Sequence, residues 1–240
     1  MKIFNQYLIT MLAGLVGFSS CSKEELTFTN GDVKIEIETG EHWLHDFPLF
    51  LGISKKNPPQ FAIWLEDTAG NYISTVFATY KIATEGWQAN NGNRRKEALP
   101  YWCHQRGVVY EDGLMLPTKA NPLTDGISGA TPKENKTLQL SIRDFTEPVV
   151  IKAEFNHSID FNEFYPEDAK EGDANYSGGD MGSGQPAVIY AGTLNPGAKE
   201  LELQMIGYSS ADGTNGNIYT DMEKLSTAKT IVGKIRVTIE

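Results

Sequence analysis

Four groups of side chains have types and spacings that could support chemistry. The segment Asp125-Gly126-Ile127-Ser128-Gly129-Ala130-Thr131 ends on a hydroxyl set among small neighbours. A threonine hydroxyl has a pKa far above 7, so modification of Thr131 needs an external enzyme, and Gly and Ala leave room for that enzyme and a bulky group to approach. Asp125 would orient the loop or assist metal and phosphate chemistry in that complex. The competing assignment is a tight surface turn whose glycines relieve strain and whose Ser128 and Thr131 cap local N–H groups. His42 and His45, with Asp46 beside them, have the i, i+3 spacing that lets a turn or helix converge on a metal. A strand would place the two on opposite faces. Cys103-His104 could add ligands from a distant segment, but nothing in the sequence joins the two clusters, so no metal ligand is assigned.

The third group is the acidic stretch with Asp160, Asn162, Glu163, Glu167, Asp168, Glu171, Asp173, Asn175 and Asp180. These are hard oxygen ligands, and structural calcium is one reading; EF-hand spacing is absent, which favours a solvated loop. Asp212-Gly213-Thr214-Asn215-Gly216-Asn217 reads equally as a calcium loop or a hairpin turn. The fourth group, Glu66-Asp67, does not make a glycosidase pair, because adjacent residues of a strand point to opposite faces. No nucleophile elbow and no phosphate-cradling glycine loop before a helix is present.

The Asp125 to Thr131 segment resembles the Asp-Gly-x-Ser/Thr-Gly-Ala-Thr motif to which flavin transferases attach FMN in exported electron-transfer proteins. The resemblance implies that Thr131 supplies the phosphoester oxygen and that Asp125, Gly126, Ser128, Gly129 and Ala130 complete a cofactor-binding segment. It also implies covalent FMN as cofactor, with a flavin transferase and a membrane reductase as partners. Tyr101 and Trp102 would then pack the flavin ring; without a flavin they serve as core anchors.

Lys2 followed by an apolar run from Leu8 to Phe18 reads as a secretion signal, too short for a dependable membrane span. Phe18-Ser19-Ser20-Cys21 resembles the bacterial lipobox, with Phe18 where Leu is usual. That resemblance implies acylation of Cys21, whose chains, at about 0.8 kcal/mol per buried CH₂, would hold the protein on a membrane. Ser22-Lys23-Glu24-Glu25 resembles the acidic tag of Bacteroidetes lipoproteins sent to the outer leaflet of the outer membrane. The expected location is the cell envelope, periplasmic or surface-exposed. With Cys21 acylated, Cys103 has no intrachain partner and is expected to be a buried small hydrophobe, a reactive thiol or metal ligand being the alternative. A formal net charge of -10 argues against nucleic acid or an anionic lipid surface as partner, and permits a cationic ligand.

Elements that would position these groups follow from periodicity. Strand patterns run over Val33–Glu38, Phe61–Leu65, Tyr72–Ile82, Thr137–Ile142, Val149–Phe155, Ala187–Gly192, Leu201–Tyr208 and Ile231–Ile239. Short helices fit Met222–Ala228 and the Arg94–Gln105 region. With no helical crossover pattern, the expectation is an all-β antiparallel sandwich, immunoglobulin-like or jelly-roll-like, with long decorated loops over 83–130 and 156–186. The expected organisation is a signal at 1–20, a lipidated tether at 21–30 and a single domain at 31–240.

Longer stretches, Pro59–Asp67, Gly70–Thr79, Asp125–Pro132, Glu154–Asn162 and Gly184–Ala191, resemble the DUF2271 family of uncharacterised exported proteins. The family implies an exported β-rich domain, sometimes associated with flavin transferase or membrane reductase components, and supplies no established reaction. Two functions follow: an envelope electron-transfer protein carrying covalent FMN, or a non-catalytic ligand-, glycan- or protein-binding lipoprotein.

Overall fold

The structure, a computed structural model, describes residues 26–27, 33–48, 51, 53–87, 94–140 and 147–239. The signal at 1–20, Cys21 and all of the tether except 26–27 lie outside the described residues. The strands are β1 (Leu26–Thr27), β2 (Val33–Thr39), β3 (His45–Pro48), β4 (Ser54–Asn57), β5 (Gln60–Glu66), β6 (Tyr72–Thr79), β7 (Ile127–Gly129), β8 (Lys136–Leu140), β9 (Val149–Asn156), β10 (Val188–Leu194), β11 (Glu200–Tyr208) and β12 (Val232–Ile239). Two short helices, α1 (Tyr80–Thr84) and α2 (Pro100–Arg106), lie between β6 and β7. No described helix is long and apolar enough to cross a membrane.

Each of the eight patterned segments contains a strand; residues 141–142 of the Thr137–Ile142 pattern lie outside the described residues, several other ends differ by one or two residues, and one strand is cut short. β6 stops at Thr79 instead of running to Ile82, because Tyr80–Thr84 winds into α1 and closes on Glu85 in the left-handed conformation. The expected two-sheet sandwich takes a coarser form: a β-dominated fold with one curled, half-barrel sheet in the order β1-β8-β2-β12-β11-β10-β9-β5-β6-β7, accompanied by two helices. Interior ladders are antiparallel as expected, whereas the edge pairs β1·β8 and β6·β7 are parallel. The curl passes through β11, whose first half pairs with β12 and second half with β10. β3 and β4 make a separate hairpin.

Alternation explains the packing. Val33, Ile35 and Ile37 of β2 and Ile235 and Val237 of β12 share one core with Phe61, Ile63, Ile151, Phe155, Val188 and Tyr190 from the other half of the sheet. Each large side chain so buried contributes about 1.5–3 kcal/mol. Phe61 stacks on Phe155 with ring centroids 5.0 Å apart, and Trp43 closes the cluster at 6.1 Å from Phe61. The opposite faces of β5, β6 and β10 place Ala62, Trp64, Ala78 and Ile189 in a second core beneath α1 and α2, beside Leu99, Trp102 and Cys103. β5 is therefore buried on both faces and reads as an unbroken apolar run.

Candidate functional site

The Asp125 to Thr131 segment forms the edge strand β7 and its flanks. Gly126 passes so close to β6 that a Cβ there would lie 2.7 Å from Thr75 Cβ, which only glycine tolerates without a shift. Ile127 packs against the first core, while Ser128 and Ala130 are exposed. Register pairs Phe77 with Ile127, Ala78 with Ser128 and Thr79 with Gly129.

Asp125 is held from two sides. The Tyr72 hydroxyl donates to one carboxylate oxygen, and Arg106 Nη2 donates to the other at 3.3 Å. Burial, then the bond to Asp125, pushes the Tyr72 phenol up to about 12, so it stays a donor at neutral pH. Behind Tyr72, the Thr75 hydroxyl lies 2.5 Å away and itself accepts a 3.1 Å bond from Trp102 Nε1. The Arg106 guanidinium sits over the Trp102 ring at 4.9 Å.

Tyr101 and Trp102 thus belong to the second core, 5% and 0% exposed, and do not line a cavity with Thr131. Their helix starts at Pro100, ends on left-handed Gly107, and is capped from β9 by Glu154, which accepts from the Trp102 N–H at 2.7 Å and the Tyr101 N–H at 3.2 Å. Of the two roles considered for these aromatics, the structure gives them the core-anchor role. Trp102 supports Asp125 from below.

Thr131, two residues beyond β7, is half-buried in the wall of a groove of about 430 Å³. The hairpin residues Lys55, Lys56, Asn57 and Pro58 form one side; Tyr80 and Lys81 of α1 and Ala130, Thr131 and Lys133 form the other, over Gln60. Gln60 Nε2 donates to Thr131 Oγ1 at 3.2 Å, and Gln60 Oε1 accepts from the Thr79 hydroxyl at 2.8 Å. The Pro132 carbonyl accepts from Trp43 Nε1 at 3.1 Å, tying the chain after Thr131 to the first core. The bond from Gln60 occupies one acceptor position of Thr131 and leaves its proton and a lone pair without a side-chain partner among the described residues. Thr131 is bonded across the sheet, not to a local amide as in a simple turn.

The groove holds most of the residues that sequence reasoning missed. Tyr80, 56% exposed, is the aromatic that faces Thr131's cavity. Gln60, Lys55 and Lys81 come from segments carrying no chemical motif, and only Lys133, two residues from Thr131, had a local signal. Among the described residues, Lys55, Lys81 and Lys133 make no ion pair, whereas Lys56 pairs with Asp46 at 2.7 Å.

The remaining candidates disperse. His42 Nδ1 lies 2.6 Å from the Thr230 hydroxyl, His45 faces the Ile159 carbonyl and Asp160, and Asp46 faces Lys56. Cys103 is buried, its thiol pushed far up by desolvation and by Glu154, which makes it inert. Among the described residues no group of three or more His, Cys, Asp or Glu side chains could hold a metal. In the acidic loop, Asn162 Oδ1 accepts from the Phe164 and Tyr165 N–H groups and Asp173 from Lys170 N–H, so these oxygens are used by the loop itself. Asp212 likewise accepts from Thr214 N–H within its turn. Glu66 is buried against Lys152 at 2.7 Å and Trp64 Nε1 at 2.7 Å, while Asp67 caps an exposed turn. No protein-family model matches this chain, no curated protein matches it, and no solved structure matches it, so the site is read from its own residues.

Proposed function

We propose that this chain is a cell-envelope electron-transfer protein that carries FMN esterified to Thr131. The observation that carries the reading is the placement of the Thr131 hydroxyl, in a seven-residue match to an attachment motif, on the wall of a groove of about 430 Å³. That volume is in the range of small-molecule sites, about 300–1,000 Å³. The residues fit the group: a free hydroxyl proton to be lost, small neighbours at Gly129 and Ala130, and the exposed ring of Tyr80 for a flat partner. Bound FMN would supply one- and two-electron transfer.

The chain's own part is positional. Gln60 orients the hydroxyl, Trp43 fixes the backbone at Pro132, and Gly126 with Ile127 hold β7 on the sheet edge, where a transferase can reach it. Asp125, 38% exposed and held by Tyr72 and Arg106, is presented at the other end of the strand as a fixed anion for that enzyme. Esterification with FAD as donor forms Thr131 O–P, breaks the bond between the two phosphoryl groups, and releases AMP and the hydroxyl proton. Lipid on Cys21 would confine the carrier to the outer membrane surface, near a membrane reductase, and membership of the DUF2271 family belongs to the same proposal.

The test is the intact mass of the mature protein made together with a flavin transferase shown active on a control substrate. The expected product carries one FMN group, which Thr131→Val abolishes while the protein stays folded, less stable by about 1–3 kcal/mol for the Gln60 donor left unpaired. An unmodified wild-type chain under those conditions overturns the reading.

A further inference from the structure

Among the described residues three of the four cations of the Thr131 groove make no ion pair, in a chain whose acids outnumber its bases by 31 to 21. Four lysines line the cavity and, among the described residues, no carboxylate does. They come from separate elements: Lys55 and Lys56 from β4, Lys81 from α1 and Lys133 from the segment after Thr131. Only Lys56 has an acidic partner among the described residues. Lys81 is the central member, half-buried and also lining the small cavity behind Gln60. Its Nζ lies 5.8 Å from the centre of the Trp87 ring. Desolvation, then Lys55 and Arg95, pull the Lys81 ammonium below its ordinary range, so the fold holds this cation against both burial and like charge. An anion in the groove relieves both.

We propose that the groove is a binding site for the phosphate monoester of a flat-ringed mononucleotide, with Lys81 as its central cation and Lys55 and Lys133 flanking it. A phosphate monoester carries about -1.5 to -2 charges at neutral pH, which two or three lysines balance. Inorganic phosphate alone would leave most of a cavity of about 430 Å³ unfilled, and the exposed Tyr80 ring offers the remainder a stacking face. The Thr131 hydroxyl shares the wall with these cations, so a phosphoryl group held by them lies against the oxygen that would be esterified. This deepens the reading above by naming the groups that hold the phosphoryl charge, yet non-covalent binding needs no transferase and no hydroxyl.

The experiment titrates the mature, transferase-naive protein with FMN, followed by flavin fluorescence, beside riboflavin and with inorganic phosphate as competitor. FMN is expected to bind at least about tenfold more tightly than riboflavin, the equivalent of one charge-assisted contact, and phosphate to displace it. Lys81→Met should weaken FMN about tenfold without changing riboflavin, and the exposed Lys133→Met should do the same to a lesser degree, which serves if the first variant folds poorly. Thr131→Val should still bind FMN. Equal affinity for FMN and riboflavin, no binding at millimolar FMN, or full affinity in both lysine variants overturns the proposal. FMN binding without any flavin mass after exposure to active transferase would retire the covalent reading alone. A flavin mass on wild type together with unchanged FMN affinity in both lysine variants would retire this one alone.

Discussion

Two polar regions of the molecule are built on opposite plans. Around Arg95 the loops 94–97, 156–160, 177–185 and 226–227 form a closed network. Arg95 Nε donates to Glu97 at 3.0 Å, Nη2 donates to Ser183 at 2.9 Å, and Nη1 donates to Ser158, while its guanidinium lies 4.9 Å from the Trp87 ring centre. Ser183 in turn donates to Asn156 at 2.7 Å, and Thr227 donates to Asp160 at 2.6 Å. Around Thr131, three lysines make no ion pair among the described residues. The network satisfies most of its polar groups internally, with Asp160 Oδ2 and Trp87 Nε1 buried and without a hydrogen-bond partner among the described residues. The groove leaves its charges unspent, which is what a binding surface requires.

The largest effect should come from breaking the closed network. Arg95→Met strands Glu97, 3% exposed, and removes the donor of two serines. Loss of one partner of a buried pair costs about 3–5 kcal/mol. Urea denaturation should show that loss in Arg95→Met, while Lys133→Met at the exposed rim stays within about 0.5 kcal/mol of wild type. Similar unfolding midpoints for the two variants would erase the distinction between the regions.

The next effect is in pH dependence, where the groups beside the network and beneath α2 act in opposite senses. Burial lowers His157 from 6.5 to about 3, and burial raises Glu154 from 4.5 to about 8. The neutral His157 contributes stability that is present above 6.5 and lost as pH falls toward 3. The protonated Glu154 contributes stability that is present below 4.5 and lost as pH rises toward 8. Between 4.5 and 6.5 the two slopes cancel, giving a plateau with a fall on either side. At ~1.4 kcal/mol per unit, each limb outside the plateau is worth on the order of 2 kcal/mol. Melting curves of Glu154→Gln should lose the alkaline fall, and those of His157→Gln the acid one; a variant that keeps its limb assigns that limb to another group.

A smaller loss is expected at the seam between the groove and the sheet. Gly126→Ala drives a Cβ to 2.7 Å from Thr75 Cβ and 3.0 Å from its carbonyl oxygen, so β7 must lift from β6. Overpacking of this kind costs about 1–3 kcal/mol. The same lift displaces Thr131, so flavin attachment should slow in Gly126→Ala, whereas Ser128→Ala, at an exposed position of the same strand, should change neither stability nor attachment. Equal attachment rates in all three proteins would separate β7 geometry from modification.

How far this contrast was legible in the sequence differs by level. The eight patterned strands were readable because alternation survives wherever one face meets a core, as in Val33–Thr39, or runs unbroken where both do, as in Gln60–Glu66. The hairpin strand Ser54–Asn57, three of whose four side chains are exposed, has no apolar period to detect, and the parallel pairing of β7 depends on contacts from distant chain. At the site, the motif marked Thr131 but not its cavity. Tyr101 and Trp102 drew attention by composition, yet their adjacency to Leu99 and Cys103 on a helix turns them into core. The net charge of -10 pointed away from anions, because a sum over the chain hides three lysines converging from three elements.

The smallest expected effect has the opposite sign from all the others. Lys81 is held half-buried among like charges without an acidic partner among the described residues, so its ammonium opposes folding whenever the groove carries no anion. Methionine keeps an unbranched apolar stem and removes the charge, including its placement 5.8 Å from the Trp87 ring centre. Lys81→Met should therefore unfold at slightly higher urea than wild type, by on the order of 0.5 kcal/mol, and the gap should narrow when saturating FMN stabilises wild type alone. A stability gain joined to a loss of FMN affinity is the mark of a residue retained for binding. A loss of stability in Lys81→Met would instead place Lys81 with Arg95, as part of the scaffold.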